Sequence, residues 1–166
     1  MHERGLGGLV QNLTEAARLY RLAADAGLAE AKCNLGLLYY EGRGVREDKA
    51  EAVRLWKLAD AQGHAGAQGN LASAYRFGQG VAVDFAAALL FACRSAEGGS
   101  PVGAYHAGCI YARGEGVPVD KPEAVKWFAK GAEKGDEECI KLLRLLAAEG
   151  VAEALVALRR LRLASV

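Results

Sequence analysis

The sequence predicts an all-α fold, a right-handed α–α superhelix in which helix-turn-helix units stack into a solenoid. Three observations carry that prediction. Residues recur at an interval of 36: Gly42, Gly78, Gly114 and Gly150; Gly44, Gly80 and Gly116; Val45, Val81 and Val117; Asp48, Asp84 and Asp120; Tyr39, Tyr75 and Tyr111; Ala16, Ala52, Ala88 and Ala124. Each interval holds two stretches with apolar residues at helical spacing. The 21 glycines, about twice the ordinary share, are spaced regularly along the 166 residues. Such a period marks an array whose units cannot bury their apolar faces without their neighbours.

The chain divides into a tail and partial repeat over 1–28, repeats over 29–64, 65–100 and 101–136, and a partial repeat with a C-terminal capping helix over 137–166, all in one continuous domain. In the first segment MHERGLG is too short and too rich in glycine for a helix A. Only a helix B is expected there, from Thr14 to Ala26, with the side that a helix A covers left open. In the first full repeat, Ala31, Leu35, Leu38 and Tyr39 give helix A, and Gly42 supplies the left-handed residue that ends it. Val45 in the linker plugs the space between the helices. Asp48 caps helix B, and Glu51 three residues on completes a capping box. The pattern recurs at Asn12/Glu15 and Asp120/Glu123, whereas Asp84 has Ala87 in place of the Glu. Helix B runs to about Ala61 and Gly63 ends it. At the C-terminus, Glu137 to Ala148 reads as a helix A, Gly150 as its stop, and Ala152 to Leu163 as a last helix with Leu155, Leu158 and Leu161 turned inward. Its Arg159, Arg160 and Arg162 form a solvated charged face.

Small residues mark where helices cross: Ala31/Ala67/Gly103 and Ala52/Ala88/Ala124. Large residues fill the gaps between crossings: Tyr20/Trp56/Phe128 and Leu55/Phe91/Trp127. Ala92 stands where Trp56 and Phe128 stand in the other units, so packing there differs. Helix A is expected to line the concave side and helix B the convex side.

The pattern A-x-x-x-L-G-x-x-Y-x-x-G-x-G-V-x-x-D runs from Ala31 to Asp48 and, with substitutions, twice more. A-x-x-L/F-W/F and A-x-x-x-G follow it. Over roughly residues 8–150 the chain resembles the Sel1-like repeat family, relatives of the tetratricopeptide repeat. The resemblance implies a non-catalytic adaptor that assembles protein complexes. One subfamily is secreted and carries a disulfide in each repeat; the four Cys here occupy four different repeat phases, so that feature is absent.

Composition narrows the function. Twenty-one Lys and Arg against 20 Asp and Glu give a net charge of +1, which offers no electrostatic case for nucleic acid. With 52% apolar residues the chain is too apolar for disorder. Met1–Leu13 holds no apolar run of signal-peptide length, and no stretch is long enough to span a membrane; a cytoplasmic location is favoured. There is no CxxC pair for zinc. His2, His64 and His106 are scattered, so no metal or other cofactor is expected. The Gly-x-Gly pairs sit between helices and precede no Gly-Lys-Ser/Thr, so they build no phosphate loop.

The candidates for binding lie on the A helices. Asn34, Asn70 and His106 form a series, and tetratricopeptide domains place an Asn just before a similar Leu-Gly to hold a peptide backbone. An amide donates and accepts at once; the alternative reading is hydrogen bonding inside the solenoid. Tyr40, Arg76, Phe77, Tyr105 and Arg113 share the groove-facing phase with Cys33, Leu37, Glu41, Gly69, Ser73 and Cys109. Aromatic residues and Arg are frequent interface anchors, and Arg76 with Arg113 could hold a carboxylate; the alternative is that they are solvated or paired with Glu41 and Glu115. The expected partner is a protein or peptide on the concave helix-A surface, with self-association through the N-terminal end. Two further readings stay open: a hydrolase, as proposed for some secreted relatives, although Ser73, Ser95, Ser100 and Ser165 lack an activating context, and a structural fragment of a larger scaffold.

Overall fold

A computed structural model describes residues 3–162, with side chains from residue 12 onward. Nine helices and no strand occur among the described residues: α1 (Glu3–Asp25), α2 (Ala29–Glu41), α3 (Lys49–Asp60), α4 (Ala65–Phe77), α5 (Phe85–Glu97), α6 (Pro101–Arg113), α7 (Lys121–Ala132), α8 (Glu137–Ala148) and α9 (Ala152–Arg160). Each packs on the next in sequence, α4 also meets α6, and α7 meets α9. The result is the right-handed helix-pair solenoid. His2, Ser165 and Leu163, the expected end of the last helix, lie outside the described residues.

The repeated residues build the same turn three times. Gly42, Gly78 and Gly114 are left-handed (φ +66°, +68°, +70°), and each donates its N–H to the carbonyl four residues back. The next residue donates to the same carbonyl at 3.0, 2.9 and 3.1 Å (Arg43 to Leu38, Gln79 to Ala74, Glu115 to Ile110). The linker then crosses the start of the preceding helix B so closely that a Cβ on Gly80 would lie 2.2 Å from the Lys49 carbonyl oxygen.

Asp48, Asp84 and Asp120 cap the B helices, each accepting from the N–H three residues on at 2.8–2.9 Å. The expected capping box is not formed. The N–H groups of these Asp residues donate instead to the carbonyls of Tyr39, Tyr75 and Tyr111, at 2.9 Å each. Glu51 and Glu123 therefore turn to Arg54 and Lys126, and Ala87 costs the second unit nothing. Asn12 lies inside α1 and caps nothing.

The core follows the small-residue plan. Ala52, Ala88 and Ala124 are fully buried, and Phe128, Leu71, Ile110 and Leu143 are among the largest side chains with no exposure, each worth about 1.5–3 kcal/mol by burial. One matched pair in each unit sets the distance between its helices. A Cβ on Gly36 would meet Trp56 Nε1 at 2.5 Å, and one on Gly108 would meet Phe128 at 2.5 Å. The second unit has alanine at both positions, Ala72 and Ala92, and both are fully buried. A ring on helix B thus goes with glycine on helix A, and a methyl goes with a methyl. The Trp56 indole N–H donates to the Cys33 carbonyl at 3.2 Å.

Two expected core residues are not buried. Tyr20 is exposed, and no described helix A packs over it. In α9 the inward residues are Ala154, Ala157 and Leu158, while Leu155 faces out. The α9 stripe keeps the expected Leu158 and Leu161 and has Ala154 and Ala157 in place of Leu155.

Candidate functional site: the helix-A surface

Helices α2, α4, α6 and α8 present residues at equivalent phases along one surface. Leu37, Phe77, Val102 and Leu145 are exposed on these helices. The Asn34–Asn70–His106 series has a different chemistry in each unit. Asn34 is half-buried and its amide donates within its own helix to Glu30 Oε1, at 3.2 Å. The half-buried Asn70 reaches back one unit, its Nδ2 lying 3.7 Å from Cys33 Sγ. His106 is only 6% exposed, so it does not offer a free polar group at the surface.

Both junctions between full repeats are closed by a contact with the same offset. Tyr40 donates its hydroxyl to Gln79 Oε1 at 2.6 Å, joining helix A of one unit to the linker of the next. Thirty-nine residues also separate Arg76 from Glu115, and there the contact is a two-pronged ion pair: Nη2 lies 2.9 Å from Oε1, and Nε bonds Oε2. Arg76 is 3% exposed. Its fork is therefore filled by Glu115, the alternative that the sequence offered, and does not await a partner's carboxylate. Arg113, exposed, lies 3.8 Å from the same Glu115 carboxylate. Gln79 was not singled out in the sequence, although its offset from Tyr40 equals that of Glu115 from Arg76.

Around Arg76 the structure gathers five of the eight candidate residues. Its guanidinium sits 4.9 Å from the centroid of the Phe77 ring. His106 meets Phe77 edge to face at 6.3 Å and Tyr105 at 5.2 Å. Burial, then the charge of Arg76, lowers the His106 pKa to about 4, against a smaller opposing pull from Glu115. The ring is neutral at pH 7, and its Nδ1, 3.4 Å from Arg76 Nη1, accepts from that nitrogen. Burial also raises the Tyr105 phenol, helped by Cys109. Tyr40, one unit away, packs on Trp56 with centroids 5.6 Å apart.

Little here is arranged for chemistry. Burial pushes the Cys33 thiol up to about 11 and raises Cys93 and Cys139 as well, so these thiols stay protonated. The Ser95 hydroxyl is committed to the Ala65 carbonyl at 2.7 Å. Among the described residues no group of three or more His, Cys, Asp or Glu could hold a metal ion. No described helix is long and apolar enough to cross a membrane.

Comparison with known proteins agrees with the repeat. The family model for the Sel1 repeat matches residues 1–28, 29–64, 65–100 and 101–136. A Sel1 repeat protein from Oxalobacter formigenes has a similar solved structure (TM-score 0.79, 32% identity over 90% of this chain and 63% of that one). So does a protective antigen of uropathogenic Escherichia coli strains with an SLR fold (TM-score 0.50, 27% identity, 90% of this chain and 41% of that one). The present chain thus spans less than two thirds of either. Among curated proteins nothing matches the sequence.

Proposed function

The chain belongs to the Sel1 repeat family, whose members generally mediate protein–protein interactions, and we propose that it is a non-catalytic adaptor holding a peptide or partner protein on its concave helix-A surface. The observation that carries this reading is Phe77. Its ring is exposed, yet the Arg76 guanidinium and the His106 ring hold it in place. Large aromatic side chains that are already ordered make strong interface anchors, because little rotamer freedom is lost on binding. The partly exposed amides of Asn34 on α2 and Asn70 on α4 would join it, with Leu37 and Tyr40 of α2 and Val102, Tyr105 and Arg113 of α6. Arg76 and His106 act from beneath as supports. The chain also associates with itself through its N-terminal end.

The test is affinity capture with the chain as bait, followed by titration of the identified partner. Phe77→Ala should weaken binding by about 2 kcal/mol or more, roughly thirtyfold, with unchanged helical circular dichroism. Leu90→Ala, on an exposed site of α5, should leave affinity unchanged. Asn34→Ala combined with Asn70→Ala decides whether the amides touch the ligand: retained affinity assigns them to the solenoid alone.

A further inference from the structure

The charges around Phe77 narrow what the helix-A surface can hold. Phe77 and Arg113 are the last residues of α4 and α6 and stand at the same phase, one repeat apart. Both are exposed, Phe77 by 52% and the Arg113 side chain by 61%. One ion pair lies between them. Arg76 holds its guanidinium 4.9 Å from the Phe77 centroid and gives Nη2 to Glu115 Oε1 at 2.9 Å. Arg113 Nη1 approaches the same oxygen at 3.8 Å.

This part of the surface carries one positive charge too many. The linkers after the two helices add little: residues 78–83 hold no charged residue, and residues 114–119 hold only Glu115. Both Glu115 oxygens accept from Arg76, and 3.8 Å is beyond hydrogen-bonding distance for Arg113. His106 is neutral at pH 7. The acids at the same phase in the outer units, Glu41 and Glu149, are matched already, by Arg43 at 3.0 Å and by Lys121 at 2.9 Å. Among the described residues Arg113 has no hydrogen-bonded acceptor, and its guanidinium stands beside an ordered aromatic ring.

We infer, on the reading that the helix-A surface binds a partner, that its ligand is an acidic peptide segment. An Asp or Glu carboxylate seats on the Arg113 fork, and a large apolar side chain two or three residues away lies against Phe77. A guanidinium holds a carboxylate through two parallel hydrogen bonds. Packed helices lie roughly 8–10 Å apart and an extended chain advances about 3.3 Å per residue, which sets the separation of the two side chains. A partner that covers Phe77 also covers part of Arg113, and burying a guanidinium without a counter-charge is costly. One carboxylate cancels the surplus, whereas a phosphoryl group brings a charge of about −1.5 to −2 and leaves some of it unmatched.

The test is selection of random peptides displayed on phage against the full chain, followed by titration of synthetic peptides. Selected peptides should carry Asp or Glu two or three positions from a large apolar residue. Changing that acid to its amide should weaken binding about fivefold to the unaltered chain and leave binding to Arg113→Ala unmoved. Affinity for the acidic peptide should fall with added salt, and Arg113→Glu should turn the selection toward Lys and Arg, both variants keeping the helical circular dichroism. Peptides that need Phe77 but carry no acid overturn the inference, as do acidic peptides whose affinity ignores Arg113→Glu. No enrichment, or binding indifferent to Phe77→Ala, instead fails the helix-A reading itself, and the inference falls with it.

Discussion

The two junctions between full repeats occupy the same place in the fold and are held by different chemistry. At the first, a neutral tyrosine hydroxyl meets an amide, Tyr40 to Gln79. At the second, a buried guanidinium meets a carboxylate, Arg76 to Glu115, with a neutral histidine against it. The repeat therefore fixes where one unit latches onto the next and leaves open what does it. The energetic consequence is asymmetric. A neutral hydrogen bond contributes modestly and is lost modestly, about 1 kcal/mol. A buried ion pair adds little net stability, but it leaves an uncompensated charge when one member is removed.

That contrast can be broken most severely at Glu115. Glu115→Ala should cost about 3–5 kcal/mol in urea unfolding, because Arg76 stays buried without its partner; a cost under 1 kcal/mol would mean that water reaches the guanidinium. Acid comes next. His106 titrates near 4 in the fold and near 6.5 when unfolded, so the unfolded chain takes up the proton first. Stability is full above pH 6.5, falls between pH 6.5 and 4, and levels off below, a loss on the order of 3 kcal/mol. His106→Gln should flatten that segment of the pH–stability curve. At the first junction Tyr40→Phe should cost only about 1 kcal/mol, with no new pH dependence. The smallest change is expected from Arg113→Ala, within about 0.5 kcal/mol, since this arginine reaches the same Glu115 from solvent.

The fold was legible because the 36-residue period carries its turns and caps with it: the αL glycines, the Asp caps and the small crossing residues all sit at fixed phases. The capping box was misread because the linker returns its Asp N–H to a tyrosine carbonyl of the previous helix, a contact between segments that local spacing does not show. The start of α1 was misread because three early glycines suggested a loop, whereas the decisive change is Leu6 in place of the αL glycine. The surface was legible only in part. Helical phase showed that Arg76 and His106 point away from the helix-B partner. The sequence offered Glu115 as one partner for the arginines, but it did not show that the linker bearing Glu115 leaves Arg76 and His106 buried. A repeat's own sequence does not reveal what its neighbour covers.

The matched pairs Gly36/Trp56, Ala72/Ala92 and Gly108/Phe128 bear on how such an array can be recombined. Both members of each pair lie within one 36-residue block, so a crossover in the short turns near Gly63 or Gly99 exchanges whole, self-consistent hairpins. A crossover in the Gly-x-Gly linkers would join Ala72 to a tryptophan or Gly36 to an alanine, a clash in one product and a void in the other. The tolerated breakpoints for shuffling these repeats are therefore the turns after helix B.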